Sequence, residues 1–449
     1  MGKIALYEIQ EKTEAWAEAV TELASVAPKY PQTAHTGLQK SLQQDRQFVQ
    51  KVTTGIGPEF KEVERTLAKT FLPALFGDNY DDDTDPRRQF ACLPVKWAGL
   101  AIPDPTSSAE LNHAASVLLT SHVLAAFRGV EVFRSADHLK VIREVKAELK
   151  LRNSAKNEKA MNLIASGLSS DNKRTILRGK DTGGWLSVLP STVNGTELSA
   201  QEFRDSILLR YARSPPDLPS QCDGCNAVFS IRHALECKKG GLVIIRHNEI
   251  QDEMVDLASK AFSPSAVRDE PKIHSSRANE QETPEGRQDH PVKRLFRNDR
   301  NKDRGDVLIR GLWSKGTDCI LDVRMTDLDA KSNKSRNPDK VLAAHEREKK
   351  KKYLEPCLEQ RRHFSPFVVS TDGLFGKEAK IVLKRLALML TEKWGKPYSE
   401  VCGYVNARMS IAIVRATHLC VRGSRIPTSK MSKRLPQWED QAGLSLFHR

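Results

Sequence analysis

Gly305-Asp306-Val307-Leu308-Ile309 and Ile320-Leu321-Asp322-Val323-Arg324 are the centres of two short apolar runs separated by a Lys-Gly-Thr turn. Runs of this length joined by a glycine turn predict a β-hairpin. Asp306 opens the first strand, and Asp322 lies inside the second after two aliphatic residues. Two carboxylates on adjacent strands can share a hard divalent cation with water and phosphate oxygens. The hairpin therefore predicts a Mg²⁺ or Mn²⁺ site at Asp306 and Asp322.

The segments around this hairpin predict an α-β-β-β-α-β order, which is typical of restriction-like nucleases. The periodicity changes from helical to strand-like at about residue 263 and back again after the hairpin. An apolar helix over Glu378–Trp394 follows. The predicted elements that flank the hairpin are a helix at Asn248–Phe262, a strand at Val267–Ile273, a helix at Pro338–Leu358 and a strand at Pro366–Thr371.

Further candidate residues surround the aspartates in sequence. Glu270, on the strand before the hairpin, is a candidate third acidic ligand. Nucleases of this type commonly carry Asp/Glu-x-Lys, but Arg324 stands at the lysine position, and an arginine can hold phosphate without serving as a base. Lys349 or Lys352, one turn apart on the next helix, can supply the missing lysine. Alternatively, the acidic residues are polar groups of an edge strand and a loop, and the lysines form one solvated helix face.

Cys222-x2-Cys225-x7-His233-x3-Cys237 has the ligand types and spacing of a closed tetrahedral zinc site. Two thiolates two residues apart can form a knuckle, and His233 and Cys237 fall on one face of a short helix. With all four positions filled by protein, the role is expected to be structural. The alternatives are three buried cysteines beside a chance histidine, or His247 as a substitute ligand.

The domain organisation is expected to be α+β and multidomain. The intervals are a helical module at 1–165, a linker or helical stretch at 166–215, a zinc knuckle at 216–247, a restriction-endonuclease-like domain at 248–400 and a basic C-terminal tail at 401–449. Prolines 215, 216 and 219 mark the entry to the second half. Tyr80-Asp81-Asp82-Asp83 matches the Tyr-x-Asp-Asp box of reverse transcriptases, but its polar flanks cannot form the two strands that box needs, which predicts an acidic loop.

The charge of the chain favours a polyanionic partner. Lysine and arginine number 71 against 57 acidic residues, and the net charge is +14. Chains this basic are attracted to nucleic acid, and the loops Lys293–Arg304 and Lys334–Arg336 are candidates for tracking its backbone. The eight cysteines do not form a disulfide framework, which predicts a reduced, intracellular protein. Neither a signal peptide nor a membrane span is expected from the sequence.

Together these motifs resemble the C-terminal region of non-LTR retrotransposon polyproteins that carry a restriction-like endonuclease. In that family a Cys-Cys-His-Cys knuckle precedes a paired-aspartate hairpin and a Lys-x-x-Lys-Tyr helix, which here is Lys349–Tyr353. The family's first aspartate usually follows a proline, whereas Gly305 precedes Asp306. The stretch from Leu93-Pro94 to Asp104-Pro105 is similar to the region after the polymerase thumb.

The resemblance implies that the protein nicks DNA so that the 3′ hydroxyl primes reverse transcription, with DNA and the element's RNA as partners and a nuclear location. The polymerase palm is absent from the sequence, so we expect a fragment or a decayed copy that cannot synthesise DNA alone. Two other classes of protein remain open: a non-catalytic nucleic-acid-binding module, which the missing Asp-x-Lys lysine favours, and a structural remnant without activity.

Overall fold

The computed structural model describes residues 3–78, 85–273 and 304–426, with side chains from residue 8 onward. The Tyr80–Asp83 box and residues 293–303 of the first basic loop lie outside the described residues. The chain divides into two units, Met1–Pro215 and Pro216–Arg449, at the proline-rich segment. Across the described part, the structure is α+β and mostly helical, with one small mixed sheet.

The described residues of the first unit form helices, short helical turns and irregular connections, without a strand. Short 3-10 turns lie at Gly57–Phe60, Val95–Trp97 and Gly184–Ser187, and π-helical turns at Leu38–Leu42 and Leu67–Phe71. Its helices are α1 (Lys3–Val26), α2 (Pro31–Gly37), α3 (Gln43–Val52), α4 (Lys61–Thr66), α5 (Leu72–Phe76), α6 (Arg87–Cys92), α7 (Pro105–Phe127), α8 (Ser135–Ser166), α9 (Ser170–Arg178) and α10 (Ala200–Arg210).

Local signals place the helix starts of the first unit. Asp104 caps α7 by accepting from the backbone N–H of Thr106, and Pro105 occupies the first turn, where no intrahelical N–H bond is lost. Ser199 and Glu202 form a reciprocal capping box at α10. Aromatic rings then fill the interior, as in the stacking of Trp16 on Phe60 at 5.8 Å between centroids.

The second unit carries the sheet. Its elements are α11 (Ile231–Glu236), α12 (Leu242–Ala261), β1 (Val267–Asp269), β2 (Val307–Arg310), β3 (Asp318–Thr326), α13 (Pro338–Glu359), β4 (His363–Ser370), α14 (Lys377–Trp394) and α15 (Tyr398–Arg422). Short 3-10 turns at Lys239–Gly241 and Pro264–Ala266 precede α12 and β1. From α12 to β4 the order of elements is α-β-β-β-α-β, followed by two further helices.

The strands lie in the order β1-β2-β3-β4. The pairs β1–β2 and β2–β3 are antiparallel, and β4 lies parallel to β3 after the α13 crossover. Because successive side chains on a strand point to opposite faces, β3 serves two layers. Leu321 and Val323 pack into the main core, whereas Ile320 packs against Tyr353 and Cys357 of α13.

The main core fills the space between the sheet and three helices. Apolar side chains at helical spacing on α12, α14 and α15 cover one face of β2, β3 and β4. Their fully or nearly fully buried members include Ile250, Met254, Leu257, Val382, Leu386, Leu390, Val405, Met409 and Ile413.

Two helix boundaries differ from the sequence expectation. The sequence predicts a basic tail at 401–449, but residues as far as Arg422 belong to α15, and Met409 and Ala416 are completely buried. α12 begins at Leu242 rather than Asn248, so His247 is a helical residue of this unit. No helix in the described ranges is both long enough and apolar enough to cross a membrane.

Asp327, which follows β3 directly, is a half-buried carboxylate with only part of its hydrogen-bonding capacity used. Its Oδ1 accepts from the Asp329 N–H at 2.9 Å, but its Oδ2 has no hydrogen-bond partner among the described residues. Burial, together with the nearby charges of Asp329, Glu236 and Asp372, raises the pKa of Asp327 to about 6. The charged form is therefore disfavoured in the folded state.

We expect Asp327→Asn to stabilise the second unit at pH 7.5, because the amide keeps the Oδ1 acceptor without the charge. A carboxyl whose pKa is raised on folding binds more protons in the native state, so stability falls as pH rises from about 4 to 6. The gain should be on the order of 1–2 kcal/mol at pH 7.5 and should vanish at pH 4. Denaturant titration at both pH values measures it, and an equal effect at the two values would contradict this account.

Candidate functional site

The register of β2 and β3 brings Asp306 beside Asp322. Val307 pairs with Leu321, so the residue before Val307 lies opposite the residue after Leu321. The Asp306 N–H donates to the Leu321 carbonyl at 3.0 Å, and the Val323 N–H donates to Asp306 Oδ2 at 2.5 Å. The two aspartates named by the sequence therefore lie together at one end of the hairpin.

Lys349, on α13, contacts this acidic pair through Asp322. Its Nζ lies 2.5 Å from Oδ2 of Asp322, a residue that is only 4% exposed. Burial raises the pKa of Asp322, the charge of Asp306 raises it further, and Lys349 offsets part of this shift. The arrangement is thus two acidic groups and one ammonium in a largely desolvated place, and it favours a further cation.

Two side chains of α12 contact Asp306: His247, which the sequence suggests only as a substitute zinc ligand, and Gln251, which the sequence does not single out. His247 Nε2 donates to Asp306 Oδ1 at 3.1 Å, since a carboxylate can only accept. Burial lowers the pKa of His247, but the hydrogen bond and charge of Asp306 outweigh it and the net pKa is raised. Gln251 Nε2 donates to the Asp306 carbonyl at 3.0 Å and also to Asp269 Oδ1.

Glu270 reaches this neighbourhood through its backbone. Its N–H donates to the Asp306 carbonyl at 2.9 Å, and its φ is +48°, a left-handed conformation that tilts the chain after β1. Its carboxylate lies 3.6 Å from Nη1 of Arg304. Neither Glu270 nor the pair Asp306 and Asp322 belongs to a cluster of three or more metal-ligating side chains among the described residues, so the acidic site offers a cation two carboxylates.

Lys352 and Arg324 have other neighbours. Lys352 Nζ bonds the Tyr353 hydroxyl at 2.5 Å and lies 4.4 Å from the centroid of that ring. Arg324 Nη1 donates to Glu348 Oε2 at 2.7 Å. Of the two candidate lysines, Lys349 is therefore the one that the structure brings to the carboxylates, while Arg324 lies one strand period beyond Asp322 on the same face.

The four residues of the predicted knuckle converge. Their ligand atoms lie within 4.8 Å of one another, and Cys222 Sγ lies 3.8 Å from Cys237 Sγ. Cys225 Sγ lies 3.9 Å from Cys237 Sγ and 3.3 Å from His233 Nε2. Sulfurs held about 2.3 Å from a tetrahedral zinc are about 3.8 Å apart. The cluster can therefore hold a metal ion, and its geometry fits zinc.

Local backbone hydrogen bonds and a helix cap position the knuckle ligands. Cys222 exchanges backbone hydrogen bonds with Asn226 and Ala227, each at 2.8 Å, and Asn226 takes a left-handed φ of +59°. Ser230 caps α11 by accepting from the His233 N–H at 3.1 Å. Burial raises the pKa of Cys222, but hydrogen bonds from Gly224, His233 and Cys225 outweigh it and leave the pKa at about 6. The thiolate that binds metal is thus favoured.

Two buried arginines fasten the knuckle to the rest of the second unit. Arg246 of α12 donates to the Leu235 carbonyl at 2.9 Å. Arg425, after α15, is 3% exposed and donates to the carbonyls of Ala234 at 3.0 Å and Cys420 at 2.6 Å. Asp223 accepts from the Arg425 N–H at 2.7 Å. The knuckle is therefore an integral part of the second unit.

We expect Cys225→Ser to abolish tight metal binding and to lower the unfolding temperature of the second unit by about 5 °C or more. Serine oxygen is a poor substitute for a thiolate, and α11 loses its anchor. Cys402→Ser, in the same unit but outside the cluster, is the matched control. Metal content by mass spectrometry and calorimetric unfolding give the two readouts, and full metal content in the Cys225 variant would refute the assignment.

The chain was compared with protein-family models and with curated proteins. No family model matches it. No curated protein matches it either.

Proposed function

We propose that this chain is a Mg²⁺- or Mn²⁺-dependent DNA endonuclease of the restriction-like type, with a structural zinc knuckle. The observation that carries the proposal is the convergence of Asp306, Asp322 and Lys349. The α-β-β-β-α-β order of the second unit supports it, because that order places two acidic residues on a hairpin beside the following helix. The net charge of +14 supports a nucleic-acid substrate.

The residues of the site fit a divalent cation. Burial and then the charge of Asp306 raise the pKa of Asp322, and a bound cation would stabilise the charged form of its carboxylate. Asp306 and Asp322 would hold the cation, which supplies charge stabilisation at the phosphate and a more acidic bound water. Oxygen ligands of this kind suit Mg²⁺ and Mn²⁺.

The remaining chemistry belongs to the chain's own side chains. Lys349 is held against Asp322, and in this proposal it would orient the attacking water and stabilise the negative charge that develops on the phosphodiester. Because α13 supplies the lysine, the strand position that usually carries it, here Arg324, does not need to be a lysine. Arg324 can bind a neighbouring phosphate if its ion pair with Glu348 breaks.

The knuckle's proposed role is structural and its metal zinc, since Cys222, Cys225, His233 and Cys237 fill all four tetrahedral positions. The origin that the sequence resemblance suggests, a non-LTR retrotransposon polyprotein, remains part of this proposal, as do the element's RNA as a partner and a nuclear location.

A non-catalytic nucleic-acid-binding module is the second candidate. The ion pairs Arg324–Glu348 and Arg304–Glu270 favour it, because they engage residues that an active site would turn towards substrate. On this account Asp306 and Asp322 are a relic, and only the basic surface functions.

Nicking of supercoiled plasmid with Mg²⁺ or Mn²⁺, with zinc kept in the buffer, decides between the two candidates. We expect wild-type protein to nick, and Asp322→Asn to lose about 100-fold or more in rate. Lys349→Met should lose a similar factor, whereas Lys352→Met, the same substitution one turn along the same helix, should change the rate little. DNA binding at low salt serves as the control for all three variants.

Equal losses in the Lys349 and Lys352 variants would show that only general positive charge matters, and would reject Lys349 as the catalytic lysine. Salt-sensitive DNA binding without nicking by the wild-type protein would reject the endonuclease and favour the binding module.

A further inference from the structure

The second and third turns of α12 carry two polar side chains that face Asp306 of the acidic pair. His247 and Gln251 are four residues apart and so lie on one face of the helix. Both donate hydrogen bonds to the same residue, Asp306. Further along the helix, from Met254 onward, the side chains on this side belong to the apolar core. The two polar positions are therefore an exception to the packing pattern, located where the helix passes the acidic pair.

The bonds to Asp306 leave it little freedom. His247 donates to one carboxylate oxygen, and the Val323 N–H donates to the other. Gln251 and the Glu270 N–H both donate to its carbonyl, and its own N–H is bonded to Leu321. Each carboxylate oxygen keeps a second lone-pair direction, so the hydrogen bonds set the orientation without closing the group to a cation.

Asp306 needs this support more than Asp322 does. Asp322 lies within β3 and pairs in register with Pro366 of β4, whereas Asp306 precedes β2 at the edge of the regular pairing. A residue at a strand entrance keeps its position only through side-chain contacts or tertiary packing. The two side chains described above as donors to Asp306, His247 and Gln251, both belong to α12, whereas Val323, Glu270 and Leu321 bond it through their backbones.

We propose that His247 and Gln251 are positioning residues that hold Asp306 in the orientation required to bind the divalent cation, an inference that rests on the proposed function. Hydrogen bonds to a ligand's distal atoms fix its direction, and loss of such partners typically lowers metal affinity or activity about 10- to 100-fold. His247 thus serves the carboxylates rather than the zinc knuckle.

The test measures Mn²⁺ affinity by calorimetry on the full chain loaded with zinc, and takes the binding that Asp322→Asn removes as the signal. His247→Leu and Gln251→Leu should each weaken that binding about 10- to 100-fold. His247→Gln should retain most of it, because the glutamine Nε2 can occupy the place of the imidazole Nε2 and donate to Asp306.

Gln360→Leu is the matched control. Gln360 also donates from a helix end to a backbone carbonyl, but that carbonyl belongs to Ile273. It should leave Mn²⁺ affinity unchanged. Nicking by His247→Leu should recover at high Mn²⁺, as expected when only affinity is lost, whereas nicking by Asp322→Asn should not.

The outcomes separate the two proposals. Wild-type Mn²⁺ affinity in both leucine variants would overturn the positioning role and leave the endonuclease intact. An equal loss in His247→Gln and His247→Leu, or in Gln360→Leu, would overturn it as well. A wild-type chain without Asp322-dependent Mn²⁺ binding would overturn both the positioning role and the proposed metal site.

Discussion

The antiparallel register between β2 and β3 determines what the second unit can do. Val307 paired with Leu321 places two like charges side by side, which costs free energy unless a cation or a donor compensates. A slip of one residue would send Asp322 into the apolar core and Leu321 or Val323 towards α13. The burial of Leu321 and Val323 against α12, α14 and α15 therefore keeps the acidic pair together, and the apolar core stabilises an arrangement that electrostatics alone would oppose.

The features that the sequence predicts well are local ones. The apolar runs around Asp306 and Asp322 are sufficient to predict a hairpin. The four knuckle ligands are close in sequence, so their spacing is sufficient to predict that they converge. Lys349 and Lys352 share a helix face, and only the packing of α13 through Tyr353 decides which one meets Asp322. Sequence spacing contains no information on that rotation.

Contacts between distant positions are the ones that sequence reasoning misses. His247 meets Asp306 across 59 residues, and no periodic pattern marks a polar side chain that faces a strand entrance. Residues 401–422 contain enough arginine and polar side chains to suggest an exposed tail, yet their apolar positions recur at helical spacing and are buried. The average composition of this segment suggests exposure, whereas the helical spacing of its apolar positions predicts a buried helix face.

The contact of Asp223 with Arg425 has a consequence for the order of folding. It joins positions 202 residues apart, so its loop-closure entropy must be met by contacts formed earlier within the loop. The knuckle turn and α11 are local and can form early, whereas their attachment to the end of α15 waits for the sheet and its covering helices. The attachment of the knuckle to the end of α15 therefore depends on the sheet and its covering helices, and any change that weakens their packing also weakens the hold of Arg425 on the knuckle.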